Sequence, residues 1–312
     1  MRRVLVSLIC VYLCIVAWAQ NDDFVQYQLD NGLTVYLWED HDQPDVQGWT
    51  VTRAGSIDEP ATATGLAHYL EHMLFKGTDH IGALDWEKEQ PLYEQIIALY
   101  DTLALTTDAK AREAVQLRIN EVSLEAAKYA APDEFSNLIQ GIGGEGLNAF
   151  TAYDVTCYMN SFPSYQMERW LTLYADRLTN PVFRSFQAEL ENVFEEYNMY
   201  LDDNSTHTRN FIFGKLYEGH AYARDIIGYP EDLKNPKMRQ LIDFYNTWYV
   251  PNNMALILVG DFDTEAAKPL IEKTFGKLQA RPLPQRTQYP TTAFSQDERY
   301  SAKLGYMPEL YI

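Results

Sequence analysis

The segment His68-Tyr69-Leu70-Glu71-His72 constrains this chain more than any other. Two histidines four residues apart project from one face of a helix, one turn apart, and can grip a single zinc ion. Glu71 follows His68 by three residues and shares that face, close enough to hydrogen-bond a water at the metal without being a ligand. The helix opens at Thr64-Gly65, with Thr64 as N-cap, runs through Phe75 and closes at Gly77. A catalytic zinc takes three protein ligands and keeps a fourth position open. The fold must therefore bring a third ligand to this helix from elsewhere in the chain.

Phe186, Leu190, Val193, Tyr197 and Tyr200 mark an amphipathic helix that carries Glu189, Glu191, Glu195 and Glu196. Glu189 and Glu196 are seven apart, two turns, and share a face. One of them can bind the metal while the other steadies the site. Zinc would acidify a water and polarise a carbonyl, and a neighbouring carboxylate would take the proton and return it to the leaving group. The competing reading is plain. The three fixed letters of HxxEH arise by chance in roughly one chain in a hundred of this size, and an acidic run such as Glu195-Glu196 is commonly a solvated face. His41, His80, His207 and His220 have no partner at ligand spacing, and Cys157 reads as a small core residue. The chain has no GxSxG, so nothing marks a serine hydrolase.

The rest of the chain alternates strand and helix signals. Phe24 to Trp38 alternates apolar and polar residues around Asp30-Asn31-Gly32 and reads as a hairpin. Gln47 to Ala54 is a further strand, Asn148 to Asn160 another, and Met254 to Val259 a buried one. Two apolar stripes, Leu92 to Leu103 and Val115 to Tyr129, predict an antiparallel helix pair, with Pro91 at the start of the first helix. Further helices are expected over Tyr165–Leu178, Met238–Trp248 and Thr264–Phe275. The glycine-rich stretch Gly141–Gly146 lacks the spacings of a phosphate cradle. The fold class is α+β, a mixed and mostly antiparallel sheet flanked by helices, with the 68–72 helix against the sheet.

Residues 1–19 read as a secretory signal peptide: Arg2-Arg3, an apolar run from Val4 to Val16, then Ala17-Trp18-Ala19. The run is too short for a comfortable membrane span, so no integral membrane segment is expected after cleavage. The protein is thus expected to be exported, to the periplasm first and otherwise secreted or held at the envelope. Cleavage leaves Cys157 as the one cysteine, so packing alone must hold the fold. With 44 acidic against 25 basic residues the formal net charge is −19, which argues against nucleic acid and anionic membrane surfaces as partners. Residues 20–280 form the expected catalytic domain, with the helix pair as an insertion over 85–130. The proline-dotted stretch 281–312 is the expected linker into a missing second domain.

Several separated segments together resemble the pitrilysin/insulysin family of inverted-motif zinc peptidases, which includes mitochondrial processing peptidase. His68 to Thr78 (HYLEHMLFKGT) is close to the family signature, Leu147 to Thr156 (LNAFTAYDVT) to the strand after the glycine-rich loop, and Tyr249 to Met254 (YVPNNM) with Val259-Gly260-Asp261 to a late strand. The resemblance implies zinc-dependent endopeptidase cleavage of extended peptides or small unfolded proteins. It implies His68, His72 and Glu196 as zinc ligands, Glu71 as general base and Glu189 as the carboxylate behind a ligand. It implies that Asn148, Ala149, Phe150 and Thr151 bind substrate as a strand added to a sheet edge. It also implies that a second half-domain or a partner subunit closes the chamber. The rival expectations are a non-catalytic partner subunit and a zinc-binding module of the cell envelope.

Overall fold

A computed structural model describes residues 24–234, 237–290 and 297–303. The expected signal peptide lies outside the described residues. Two strands, β1 (Phe24–Gln28) and β2 (Thr34–Glu39), form the expected hairpin. Its turn depends on Gly32, whose φ of +88° a side chain rarely tolerates, and on the Asn31 amide, which donates to the carbonyls of Phe275 (2.8 Å) and Leu278 (3.1 Å). The remaining strands are β3 (Asp45–Thr52), β4 (Glu145–Thr151), β5 (Thr156–Pro163) and β6 (Met254–Gly260). The sheet runs β1-β2-β6-β3-β5-β4, and only the β2–β6 pair is parallel. The class is thus the expected α+β mixed sheet. The apolar run in β6 is explained by its place between β2 and β3, with Leu256 and Leu258 fully buried.

The single strand expected over 148–160 is in fact two. Residues Ala152–Val155 turn the chain, closed by the Ala152 N–H on the Val155 carbonyl at 2.8 Å, and β4 returns as β5. Residues of high strand propensity flank the turn on both sides and mask it.

Among the described residues the helices of eight residues or more are α1 (Leu66–Met73), α2 (Trp86–Leu105), α3 (Ala109–Ala126), α4 (Glu134–Gly141), α5 (Met167–Arg177), α6 (Phe186–Leu201), α7 (Asn204–Leu216), α8 (Met238–Trp248) and α9 (Thr264–Phe275). Helices α2 and α3 pack together through Ile96, Tyr100 and Leu103 on one and Ile119, Val122 and Ala126 on the other. Pro91 lies inside α2 rather than at its start. The Asp85 carboxylate accepts the Lys88 N–H and begins the helix five residues earlier. Helices α4 and α7 have weak sequence signals. The first is one short amphipathic stretch resting on Phe135 and Ile139, and the second buries Thr206 and Thr208 instead of an apolar stripe.

One close approach sets how α5 sits on the sheet. The Trp170 ring lies over Gly48 of β3, where a Cβ would come within 2.3 Å of it. Trp170 is fully buried and its indole N–H donates to Asn160 Oδ1 at 2.8 Å. Loss of such a ring costs about 3–5 kcal/mol. Residues 281–290 have no regular structure but lie along the domain. Arg286 donates to Asp58 at 2.5 Å and covers the Trp248 ring, and the Tyr289 hydroxyl donates to the Ile57 carbonyl at 3.3 Å.

Candidate metal centre

Helix α1 lies against β4, β5, α6 and α8, with Leu70 and Met73 fully buried beneath it. Its N-terminus is not capped by Thr64, whose hydroxyl donates instead to Asp232 at 2.6 Å. Gly65 is the residue before the helix, with φ +80°, and a Cβ there would fall 2.4 Å from the Ile227 carbonyl oxygen. The N–H groups of Gly65 and Ala67 donate to the buried Glu59 carboxylate at 3.0 and 2.7 Å. Burial pushes the Glu59 pKa up to about 8, against the pull of those two donors. At the other end the Arg177 Nε donates to the Leu74 carbonyl at 3.1 Å. Its guanidinium is buried over the rings of Tyr158, Phe75 and Phe135, at 4.1, 4.4 and 4.6 Å. The Arg177 cation at the negative end complements the helix dipole, and Glu59 serves the other end as a hydrogen-bond acceptor. Gly77, expected to close the helix, lies beyond its cap at Leu74, in a turn with φ +91°.

On the exposed side of α1 the two histidines meet α6. His68 Nε2 and His72 Nε2 each lie 3.6 Å from Glu196 Oε2. One donor atom from each of the three falls within 4.8 Å of the others, and among the described residues no other group of His, Cys, Asp and Glu does so. Zinc bonds of 2.0–2.2 Å in a tetrahedron separate ligand atoms by about 3.3–3.5 Å. Two imidazoles and a carboxylate at these separations fit zinc.

His72 Nδ1 lies 2.9 Å from Glu189 Oε1, and Lys76 Nζ lies 2.5 Å from Glu189 Oε2. With its Nδ1 proton given to Glu189, His72 keeps the Nε2 lone pair for the cluster. His68 Nδ1 is buried without a protein partner. The electrostatics differ accordingly. Burial, aided by the charge of His72, pushes the His68 pKa down to about 4. Burial also opposes charge on His72, but hydrogen bonds to Glu189 and Glu196 outweigh it and lift the pKa to about 9. Burial would raise Glu189, yet His72 and Lys76 hold it at about 2. The hydrogen bond with His72 lowers Glu196.

Glu71 lines the same cleft as His68, His72 and Glu196. Burial raises its pKa. Its Oε2 accepts the Thr151 hydroxyl at 2.6 Å. Of the four residues expected to bind substrate, Asn148 and Ala149 line the cleft and Phe150 is 43% exposed on the outer strand β4. Thr151 is turned inward to Glu71. Behind the site, Arg184 is bidentate on Glu89 of α2 (2.6 and 2.9 Å) and also donates to the carbonyls of Lys76, Thr78 and Ile81. This ties the helix pair to the loop after α1. Lys76 and Arg177 complete the surroundings of the site, but Lys76 lies past the end of α1 and neither stands at a spacing that marks it in the sequence.

A family model described as Insulinase (Peptidase family M16) matches residues 34–90 and 119–229. A second, described as Peptidase M16 inactive domain, matches 237–312. The break at 91–118 falls within α2 and α3. Probable zinc protease PqqL of Escherichia coli is 26% identical over 286 residues, covering 89% of this chain and 26% of that protein. Uncharacterized zinc protease ML0855 of Mycobacterium leprae is 28% identical, covering 71% of this chain and 39% of that protein. The chain therefore spans well under half the length of these relatives. The crystal structure of the first half of the periplasmic protease PqqL shares the fold, with a TM-score of 0.66 at 24% identity, over 88% of this chain and 50% of that one.

Proposed function

The chain belongs to the insulinase (M16) family of peptidases, and from that premise we propose that it is a zinc-dependent endopeptidase acting on extended peptides or small unfolded proteins. The observation that carries the reading is the convergence of His68, His72 and Glu196 beside the buried carboxylate of Glu71. In this reading His68, His72 and Glu196 hold zinc, Glu189 orients His72, and Glu71 is the general base. A zinc ion held there would supply Lewis-acid polarisation of the scissile carbonyl and make a nearby water more acidic. Glu71 takes a proton from that water and returns it to the departing amine. Burial raises its pKa, which makes the carboxylate a better proton acceptor. No covalent intermediate is needed.

Among the described residues β4 pairs with β5 alone, which leaves its outer edge for an added strand. Substrate bound there by backbone hydrogen bonds would lie along Asn148, Ala149 and Phe150. The family relatives are longer than this chain, and a second half-domain or partner subunit is the proposed means of closing the chamber. The proposed domain organisation keeps residues 20–280 as the catalytic unit, 85–130 as an insertion and 281–312 as the linker to a second domain. The break in the family match supports the insertion. No helix among the described residues is long and apolar enough to cross a membrane. We place the protein in the periplasm, by analogy with the periplasmic protease PqqL.

A subunit that keeps the fold without catalysis finds one supporting observation, the match of 237–312 to an inactive-domain model. None of the four proposed metal and base residues lies in that stretch. Glu71→Gln separates the readings. It should keep zinc and lose peptide hydrolysis by about 10²–10⁴. Full hydrolysis in that variant would refute the peptidase mechanism.

A further inference from the structure

Thr151 is the last residue of β4, the strand at the open edge of the sheet. Its hydroxyl donates to Glu71 Oε2 at 2.6 Å. The terminal torsion of a glutamate is broad, so a carboxylate with no fixed partner rotates freely about it. A hydroxyl on one oxygen selects a single orientation and leaves Oε1 for proton transfer. The partner strand supports this placement, since Thr151 pairs with Thr156 of β5, whose own hydroxyl is fixed on the Ala54 carbonyl at 2.9 Å. The other end of β4 is held less firmly. The pairing with β5 is irregular between Glu145 and Asn148, and Gly146 stands in open space at φ +63°.

We propose that Thr151 is a positioning residue, one whose hydroxyl aims the Glu71 carboxylate at the metal cluster and makes that aim depend on the order of the substrate-binding edge. The proposal rests on the peptidase reading above. A peptide strand added to β4 would hydrogen-bond along its outer edge. It would stiffen the strand up to Thr151, and so fix the base when substrate is present. Thr151 thereby leaves the set of direct substrate contacts and acts through Glu71.

The test uses the full chain, zinc-loaded, with Thr151→Val, which removes the hydroxyl at constant shape, and Thr151→Ser, which keeps it. With a quenched fluorescent peptide, Thr151→Val should lower kcat about tenfold with KM changed less than about twofold, because a hydrogen bond to a charged group is lost. Thr151→Ser should restore most of kcat, and zinc content should be the same in all three proteins. Crystal structures should show one Glu71 carboxylate orientation in the wild type and Thr151→Ser, and a rotated or split carboxylate in Thr151→Val. An unmoved Glu71 in Thr151→Val, or a wild-type kcat in that variant, overturns the proposal. Failure of the peptidase reading has a different signature. Wild type and Glu71→Gln would then give equal rates, while the Glu71 orientation in Thr151→Val would still decide the role of the hydroxyl.

Discussion

His72 Nδ1 lies 2.9 Å from Glu189 Oε1, a contact between α1 and α6 across 117 residues of sequence. Lys76 Nζ holds the other oxygen of Glu189 at 2.5 Å. The three side chains form a relay that fixes the tautomer of one proposed ligand. Outer partners of this kind are worth about 10–100-fold in metal affinity. Glu189→Gln should therefore weaken zinc binding by about that factor in a chelator competition titration. Lys76→Met should act in the same direction and less strongly. Unchanged affinity in Glu189→Gln would show that the relay does not reach the metal.

The buried Glu59 at the N-terminus of α1 gives a pH signature. Its folded pKa, about 8, is above its ordinary value of 4.5. Between those values the folded state holds more protons than the unfolded one, so the Glu59 contribution to stability is fully present below 4.5 and lost as pH rises through 8. The urea midpoint of the wild type, measured against Glu59→Gln, should fall between about pH 5 and about pH 9. Parallel midpoints across that range would place the pKa of Glu59 near its ordinary value.

The Glu89–Arg184 pair is 2% and 5% exposed and joins α2 to the loop after α1. Removing one member leaves an uncompensated buried charge, which costs about 3–5 kcal/mol. Glu89→Ala should lose that much in urea unfolding. Removing both, as Glu89→Leu with Arg184→Met, should recover only the share due to the unpaired charge, because the carbonyls of Lys76 and Thr78 lose their Arg184 donor. A neutral Glu89→Ala would mean that water reaches the guanidinium.

The fold was legible where local chemistry decides it. The turn at Asn31-Gly32, the apolar run of β6 and the spans of α8 and α9 all come from patterns within a few residues. His68, Glu71 and His72 were legible for the same reason, because helical spacing alone puts them on one face. The pairing of Glu189 with Glu196 was also visible, but spacing left open which one meets the metal, and the family resemblance chose Glu196. The hidden features depend on distant partners. Glu59 replaces Thr64 at the helix N-terminus because a loop delivers a buried carboxylate, and no pattern around Thr64 shows that. The turn at 152–155 is masked by strand-forming neighbours. Arg177 reaches the Leu74 carbonyl across 103 residues, through an aromatic cage that exists only once the sheet is formed.

The most direct measurement is zinc content by elemental analysis of the purified wild-type chain and of Glu196→Gln, with cleavage of a quenched peptide monitored in the same samples with and without chelator. One zinc per wild-type chain is expected, with its loss in Glu196→Gln and cleavage that chelator abolishes. Normal zinc content in Glu196→Gln would exclude the third ligand, and a wild-type chain that binds no zinc would contradict the metal centre itself.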